Sequence, residues 1–197
     1  ARNLNFAQAR DVHSMFRGCP LLENVSGLRT PAAADAHSLF EGCVRLAEVP
    51  DLGIREGADV RDIFRGCISL TDIRLPSGLK KLPDTIFREC TSLKSMKLHE
   101  GLTTIGSSSF IYSGIESVDL PSSLTYIDSD GFSNCYSLLS ITCRAVTPPD
   151  LYAYSDVFMG IPGNGVINVP SGAEETYRNR WLTGQLLSKS WTISTIK

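Results

Sequence analysis

Phe64-Arg65-Gly66-Cys67-Ile68-Ser69-Leu70-Thr71-Asp72-Ile73 carries a phenylalanine, a cysteine, a leucine and an aliphatic residue at three-residue steps. The same series stands upstream as Phe16, Cys19, Leu22, Val25 and as Phe40, Cys43, Leu46, Val49. Downstream it returns as Phe87, Cys90, Leu93, Met96 and as Phe132, Cys135, Leu138, Ile141. A further copy, Phe110, Ser113, Ile115, Val118, has lost one residue and its cysteine. The period is about twenty-three residues. A unit this short cannot bury its apolar face alone and must stack on its neighbours, giving a solenoid whose core is a rod.

Two subtypes of the repeat are visible. In the later one, Ile73-x-Leu75 and Val118-x-Leu120 alternate with the period of a half-buried strand. Pro76 and Pro121 then close the strand, where a missing N–H does no harm. A return arm follows with constant spacing: Leu79, Leu82, Phe87, then Leu102, Ile105, Phe110, then Leu124, Ile127, Phe132. The earlier subtype has Leu28 and Leu52 three residues after Val25 and Val49, and places Val12, Ala36 or Val60 four residues before the phenylalanine. Gly18, Gly42, Gly66 and Asn134 precede the cysteine. These residues tolerate positive φ and predict the C-terminal stop of a short helical turn; Glu89 breaks that pattern.

The chain has 197 residues, 42% hydrophobic content and a formal charge of -2. Without a basic run there is no electrostatic footprint for nucleic acid or anionic membrane. No apolar run reaches transmembrane length and no secretory signal opens the chain. Five of the six cysteines share one place in successive repeats, so they form a column. Adjacent turns lie about 4.8 Å apart, and parallel Cβ vectors then keep the Cβ atoms beyond the roughly 3.8 Å of a disulfide. The thiols therefore read as reduced, buried small hydrophobes, Cys143 included.

Spacing carried backwards puts Leu4 eight residues before Val12, as Leu28 stands before Ala36. The chain therefore starts within a repeat, with Ala1 at a strand position, and the native protein is expected to extend further toward its N-terminus. Residues 1–144 form about six turns, the first incomplete, and 145–197 a last partial turn and a C-terminal cap. In the cap, Ser171-Gly172-Ala173-Glu174 reads as a capping box opening a helix through Tyr177 and Trp181. Trp191-Thr192-Ile193-Ser194-Thr195-Ile196 alternates like a strand.

These motifs resemble the BspA-like leucine-rich repeats of bacterial and protist surface proteins. The later repeats match that family's Leu-Pro-x-x-Leu-x-x-Ile followed by Phe-x-x-Cys-x-x-Leu, and Met15-Phe16-Arg17-Gly18-Cys19 is similar to the related Met-Phe-x-Gly-Cys variant. The tail, with Thr147-Pro148-Pro149, a last Phe158 and Val169-Pro170-Ser171-Gly172-Ala173, looks like the family's usual ending, so the resemblance spans essentially the whole chain. It implies an α/β repeat solenoid, a right-handed leucine-rich-repeat superhelix with one parallel sheet of short strands and a C-terminal cap. It also implies an extracellular or cell-surface protein engaged in adhesion or protein binding. The matching positions are structural, so no catalytic residue is carried over and no enzyme activity is expected.

Candidate chemistry is sparse. His13 and His37 occupy equivalent positions, with Arg61 next in the column. Imidazoles with no carboxylate partner make a poor metal site, so they read as a solvated ladder, and no metal or cofactor is expected. His99 replaces a strand-ending proline and has no evident partner. Asp11, His13 and Ser14 are triad residue types, yet sequence neighbours do not converge in triad geometry by themselves. Gly160, Gly163 and Gly165 are explained by a tight turn. Asn24-Val25-Ser26 fits a glycosylation acceptor pattern.

The better binding candidates are the outward positions of the strand column, because a regular sheet presents them as one face. They are Asn24, Ser26, Glu48, Asp72, Arg74, Ser95, Lys97, Ser117, Asp119, Ser140 and Thr142. The expected partner is a host or bacterial surface protein. The alternatives are a glycan, held by Tyr112, Tyr126, Tyr136, Tyr152 and Tyr154 near the cap, or a passive spacer role in a longer surface protein.

Overall fold

The computed structural model describes residues 6–75, 78–153, 156–183, 187 and 190–196. Ala1, Leu4, Pro76 and Tyr154, which enter the sequence expectations, lie outside these described residues. The repeats stack in register as parallel turns. On the strand arm, β1 (Glu48–Val49) pairs with β2 (Asp72–Ile73). A four-stranded sheet runs along the return arm: β3 (Lys81–Leu82), β5 (Thr104–Ile105), β7 (Tyr126–Ile127) and β9 (Asp150–Leu151). The strand arm continues as a five-stranded sheet of β4 (Ser95–Lys97), β6 (Ser117–Leu120), β8 (Ser140–Cys143), β10 (Val166–Val169) and β11 (Thr192–Thr195). The single expected sheet is thus joined by a second one, built on the Leu82, Ile105 and Ile127 column. Both the Ile167 segment and the closing Thr192 segment extend the strand arm instead of lying across it.

The phenylalanine arm is a ladder of turns and not a helix. Arg17 and Cys19 donate their N–H groups to Ser14 O and Phe16 O, three residues back in the same turn. The alternate donors Ser14, Phe16 and Gly18 cross to His37 O, Leu39 O and Glu41 O of the next turn, at 2.9, 3.0 and 2.7 Å. Amides committed to a neighbouring turn cannot also close an α-helix, which replaces the expected helical turn. The expected positive φ is present two residues after each phenylalanine, at Gly18, Gly42, Gly66 and Asn134, and also at Glu89 and Tyr112. A second left-handed residue stands two before it, at Ser14, Ser38, Asp62, Thr85, Ser108 and Asp130.

Within this arm the rings form one stack. Phe16, Phe40, Phe64, Phe87, Phe110, Phe132 and Phe158 follow one another at centroid separations from 5.0 to 6.1 Å. Trp181 closes the stack, 5.5 Å from Phe158, so Phe158 is a seventh rung of the same column. Offset aromatic pairs of this kind are favourable beyond the area they bury. Beside the rings, four cysteine thiols each donate to the phenylalanine carbonyl one turn back: Cys43 to Phe16 O at 3.0 Å, Cys67 to Phe40 O at 3.1 Å, Cys90 to Phe64 O at 3.2 Å and Cys135 to Phe110 O at 3.0 Å. All six cysteines are free thiols, and all but Cys19 are buried.

The cap is tied down by its large polar aromatics. Tyr177 OH donates to Ala145 O at 2.8 Å, and Trp181 and Trp191 donate to Pro149 O and Pro162 O. The helix is short, α1 (Glu174–Tyr177), and runs into a wide π-type turn over Arg178–Leu182. Ser171 does not cap it. Ala173 holds the N-cap position without a side-chain bond, because Gly172, at φ 88°, turns the chain between Ser171 and the helix. Gly165 is required by packing and not by a tight turn: a Cβ there would come within 2.5 Å of the Trp191 ring. At the change of repeat subtype, a small apolar void of about 30 Å3 is bordered by Val49, Phe64, Ile73, Leu75, Leu79 and Ile86.

Phe64 is nearly fully buried between two rings, whereas Phe16 is only partly buried and stacks on one. Phe64→Ala should cost about 3–5 kcal/mol and Phe16→Ala distinctly less, as read by urea unfolding; equal losses would contradict the stacked column. Burial pushes the Cys67 thiol up to about 12 and those of Cys43 and Cys135 to about 11. Iodoacetamide at pH 8 should therefore modify Cys19 first in the native protein and the other five only on unfolding, an order that peptide mapping reads directly.

Candidate functional site

Strand pairing brings most of the predicted face together. Glu48 stands opposite Asp72. Ser95, Ser117 and Ser140 form one column, continued by Val166 and Thr192. Lys97, Asp119 and Thr142 form a second, continued by Asn168 and Ser194. Asn24 and Ser26 flank Val25 in a turn instead of a strand, and Asn24 Oδ1 accepts the Ser26 N–H at 2.6 Å.

Two grooves lie on this face. The first, of about 420 Å3, is lined by Asn24, Ser26, Glu48, Asp72 and Arg74, all predicted, together with Glu23 and Asp51. Its charge is acidic: Glu23, Glu48, Asp51 and Asp72 stand against Arg74, while Arg45 reaches Glu23 at 3.3 Å. The second, of about 360 Å3, gathers Asp119, Thr142, Arg144, Asn168 and Ser194. Sequence reasoning missed Arg144, whose guanidinium forks onto Asp119 with two 2.7 Å bonds. Its only signal was its place at the end of the strand, beyond Cys143. Ser95, Lys97, Ser117 and Ser140 lie between the grooves on the sheet surface and line neither.

The tyrosines do not form one cluster. Tyr112 and Tyr136 follow Phe110 and Phe132 on the turn ladder, 42% and 64% exposed, with ring centroids 6.3 Å apart. Tyr126 and Tyr152 belong to the return arm, in β7 and just after β9. The two pairs thus sit on different arms of the turn.

The histidine ladder also differs from expectation, because each ring has its own carboxylate. Asp11 Oδ1 lies 2.6 Å from His13 Nδ1, and Asp35 Oδ1 lies 2.7 Å from His37 Nδ1. Asp59 holds Arg61 in the same way, with Arg61 Nη2 2.6 Å from Asp59 Oδ2. The first carboxyl oxygen also accepts the N–H two residues on in all three turns, a local turn that fixes the side chain. The signal was present as Asp-x-His, Asp-x-His, Asp-x-Arg at a spacing of twenty-four. Asp11 and His13 thus do form the acid–imidazole half of a triad, but among the described residues no hydroxyl or thiol hydrogen-bonds to either ring. His99 has a partner after all, with its Nδ1 2.9 Å from Glu100 O.

Residues 60–159 match the BspA type leucine-rich repeat region in six copies, about half of the chain, and the chain belongs to that family. The turns before Val60 carry the same columns but fall outside that match. Among solved structures, the chain is similar to a leucine-rich repeat protein from Bacteroides ovatus ATCC 8483, with 25% identity and a TM-score of 0.57 over 77% of this chain and 42% of that one. It is similar in fold to the pneumococcal vaccine antigen PcpA, at 16% identity and a TM-score of 0.59 over 85% and 40% of the two chains. The T. pallidum leucine-rich repeat protein TpLRR shares the fold at 22% identity and a TM-score of 0.54, over 85% of each chain. The chain spans about two fifths of the length of the first two. No curated protein matches it. The molecule is a leucine-rich-repeat scaffold, and no described helix is long and apolar enough to cross a membrane.

The Asp11 hydrogen bond raises His13 above the ordinary 6.5, and Asp11 itself is lowered below 3.8, first by the His13 N–H and then by the ring. A raised imidazole stabilises the fold fully below about pH 6.5, and that contribution fades as pH rises through the higher folded value. The lowered carboxylate contributes above about pH 3.8, fading as pH falls through its folded value. Asp11→Asn should move the His13 midpoint downward in an NMR titration of its ring protons; an unmoved midpoint would remove Asp11 as the cause.

Proposed function

We propose that this chain is a recognition segment of an extracellular or cell-surface protein and that it binds a protein partner, from a host or another bacterium, through its strand face. The observation that carries this reading is the acidic groove beside β1 and β2, where Glu48 and Asp72 are exposed and in register and Glu23 and Asp51 complete the wall. A groove whose lining carries more acidic than basic groups favours a partner segment rich in lysine or arginine and speeds its approach. The family and the fold support a scaffold for such contacts, with specificity in the outward residues.

A second reading rests on Tyr112 and Tyr136, whose exposed, tilted rings offer apolar faces of the kind that pack on sugar rings. The experiment is a host-protein pull-down paired with a glycan array, using wild type, Glu48→Lys/Asp72→Lys and Tyr112→Ala/Tyr136→Ala. Protein capture that weakens with added salt and is lost in the charge-reversed variant is the expected result. Capture by the array that is lost only in the tyrosine variant would transfer the function to the turn ladder. Silence of wild type in both assays would leave the chain a spacer.

A further inference from the structure

The Asp–His ladder lies outside the strand face and belongs to none of the recognition surfaces above. Asp11, Asp35 and Asp59 stand in register through parallel bridges, which stacks their carboxylates at the spacing of adjacent turns, about 4.8 Å. Like charges at that distance repel unless a cation lies among them. The third turn supplies one covalently: Arg61 contacts both oxygens of Asp59, with Nε 3.0 Å from Oδ1 and Nη2 2.6 Å from Oδ2. In the first two turns the same place is held by imidazoles, which, unlike a guanidinium, offer a nitrogen lone pair to a metal. Those two rings are stacked 4.8 Å apart and 8° from parallel, each with Nδ1 turned to its carboxylate.

Imidazole nitrogen and carboxylate oxygen together form a donor set for a first-row divalent ion such as zinc, whereas calcium and magnesium favour oxygen alone. The ligand atoms of Asp11, His13 and Asp35 all lie within 4.8 Å of one another. Asp35, His37 and Asp59 form a similar group, but both Asp59 oxygens are already engaged by Arg61. We propose that Asp11, His13 and Asp35 bind a divalent transition ion that clips the first described turn to the second, taking the place that Arg61 holds in the third. On binding, His13 takes the tautomer with its one N–H on Nε2, so that the neutral ring turns the Nδ1 lone pair to the metal. His13 and Asp11 are about half exposed, so water can complete the coordination.

Isothermal titration with Zn2+ tests this. Wild type should take up about one ion per chain and melt at a higher temperature with zinc than without. Co2+ in place of zinc should give the visible d–d bands of a nitrogen- and oxygen-ligated ion and perturb the His13 ring resonances before those of His99. His13→Arg repeats the residue of the third turn, and it and Asp35→Asn should each weaken uptake about tenfold or more, while His99→Gln leaves it unchanged. Undiminished uptake by His13→Arg, or no saturable uptake by wild type in millimolar zinc, would overturn the site. Should the variants fold poorly, the order in which Co2+ perturbs the wild-type histidine resonances still decides it.

Discussion

Every turn of this molecule depends on its neighbour for its backbone hydrogen bonds. On the phenylalanine arm, alternate N–H groups have no acceptor within their own turn and reach the carbonyls of the next, as Phe16 does to Leu39 O and Phe40 to Ile63 O. Buried amides left without such partners would each cost free energy comparable to a lost hydrogen bond. Stacking must therefore be in register, and register converts a residue type repeated in sequence into a column in space. The phenylalanine stack and the thiols that donate to phenylalanine carbonyls are two such columns. The solenoid is held by contacts between adjacent turns, as expected of a quasi-one-dimensional fold.

The same rule governs the surface, where repetition stacks charges and rings as readily as it stacks methyl groups. Glu48 meets Asp72 across two strands, and Asp11 meets Asp35 across two turns. Like charges brought together so are tolerated because these columns face solvent. They also create local fields that a compact globule would disperse. Elsewhere the column changes character, as where Asp119 is neutralised by the Arg144 fork. Recognition in such a molecule is written in the outward residues of each turn, while the inward residues only keep the turns aligned.

At its C-terminal end the rod changes its means of closure but not its register. Phe158 and Trp181 continue the ring stack, and β10 and β11 continue the strand arm. Buried polar aromatics need acceptors, and proline and alanine carbonyls of the last turns supply them to Tyr177, Trp181 and Trp191.

Sequence alone determined the solenoid, its period and the inward columns, because each follows from a spacing that repeats along the chain. It also marked the left-handed residues after each phenylalanine, since glycine and asparagine reveal that conformation; Glu89 and Tyr112 adopt it without revealing it. Whether the phenylalanine arm is helix or ladder was decided only by tertiary structure, because the choice turns on where alternate amides find acceptors in another turn. The Asp-x-His pairing, the Arg144 fork and the division of the tyrosines between two arms of the turn arose in the same way. They depend on distances between side chains that the text places apart and the stacked turns bring close, or that the text places close and the turn carries apart.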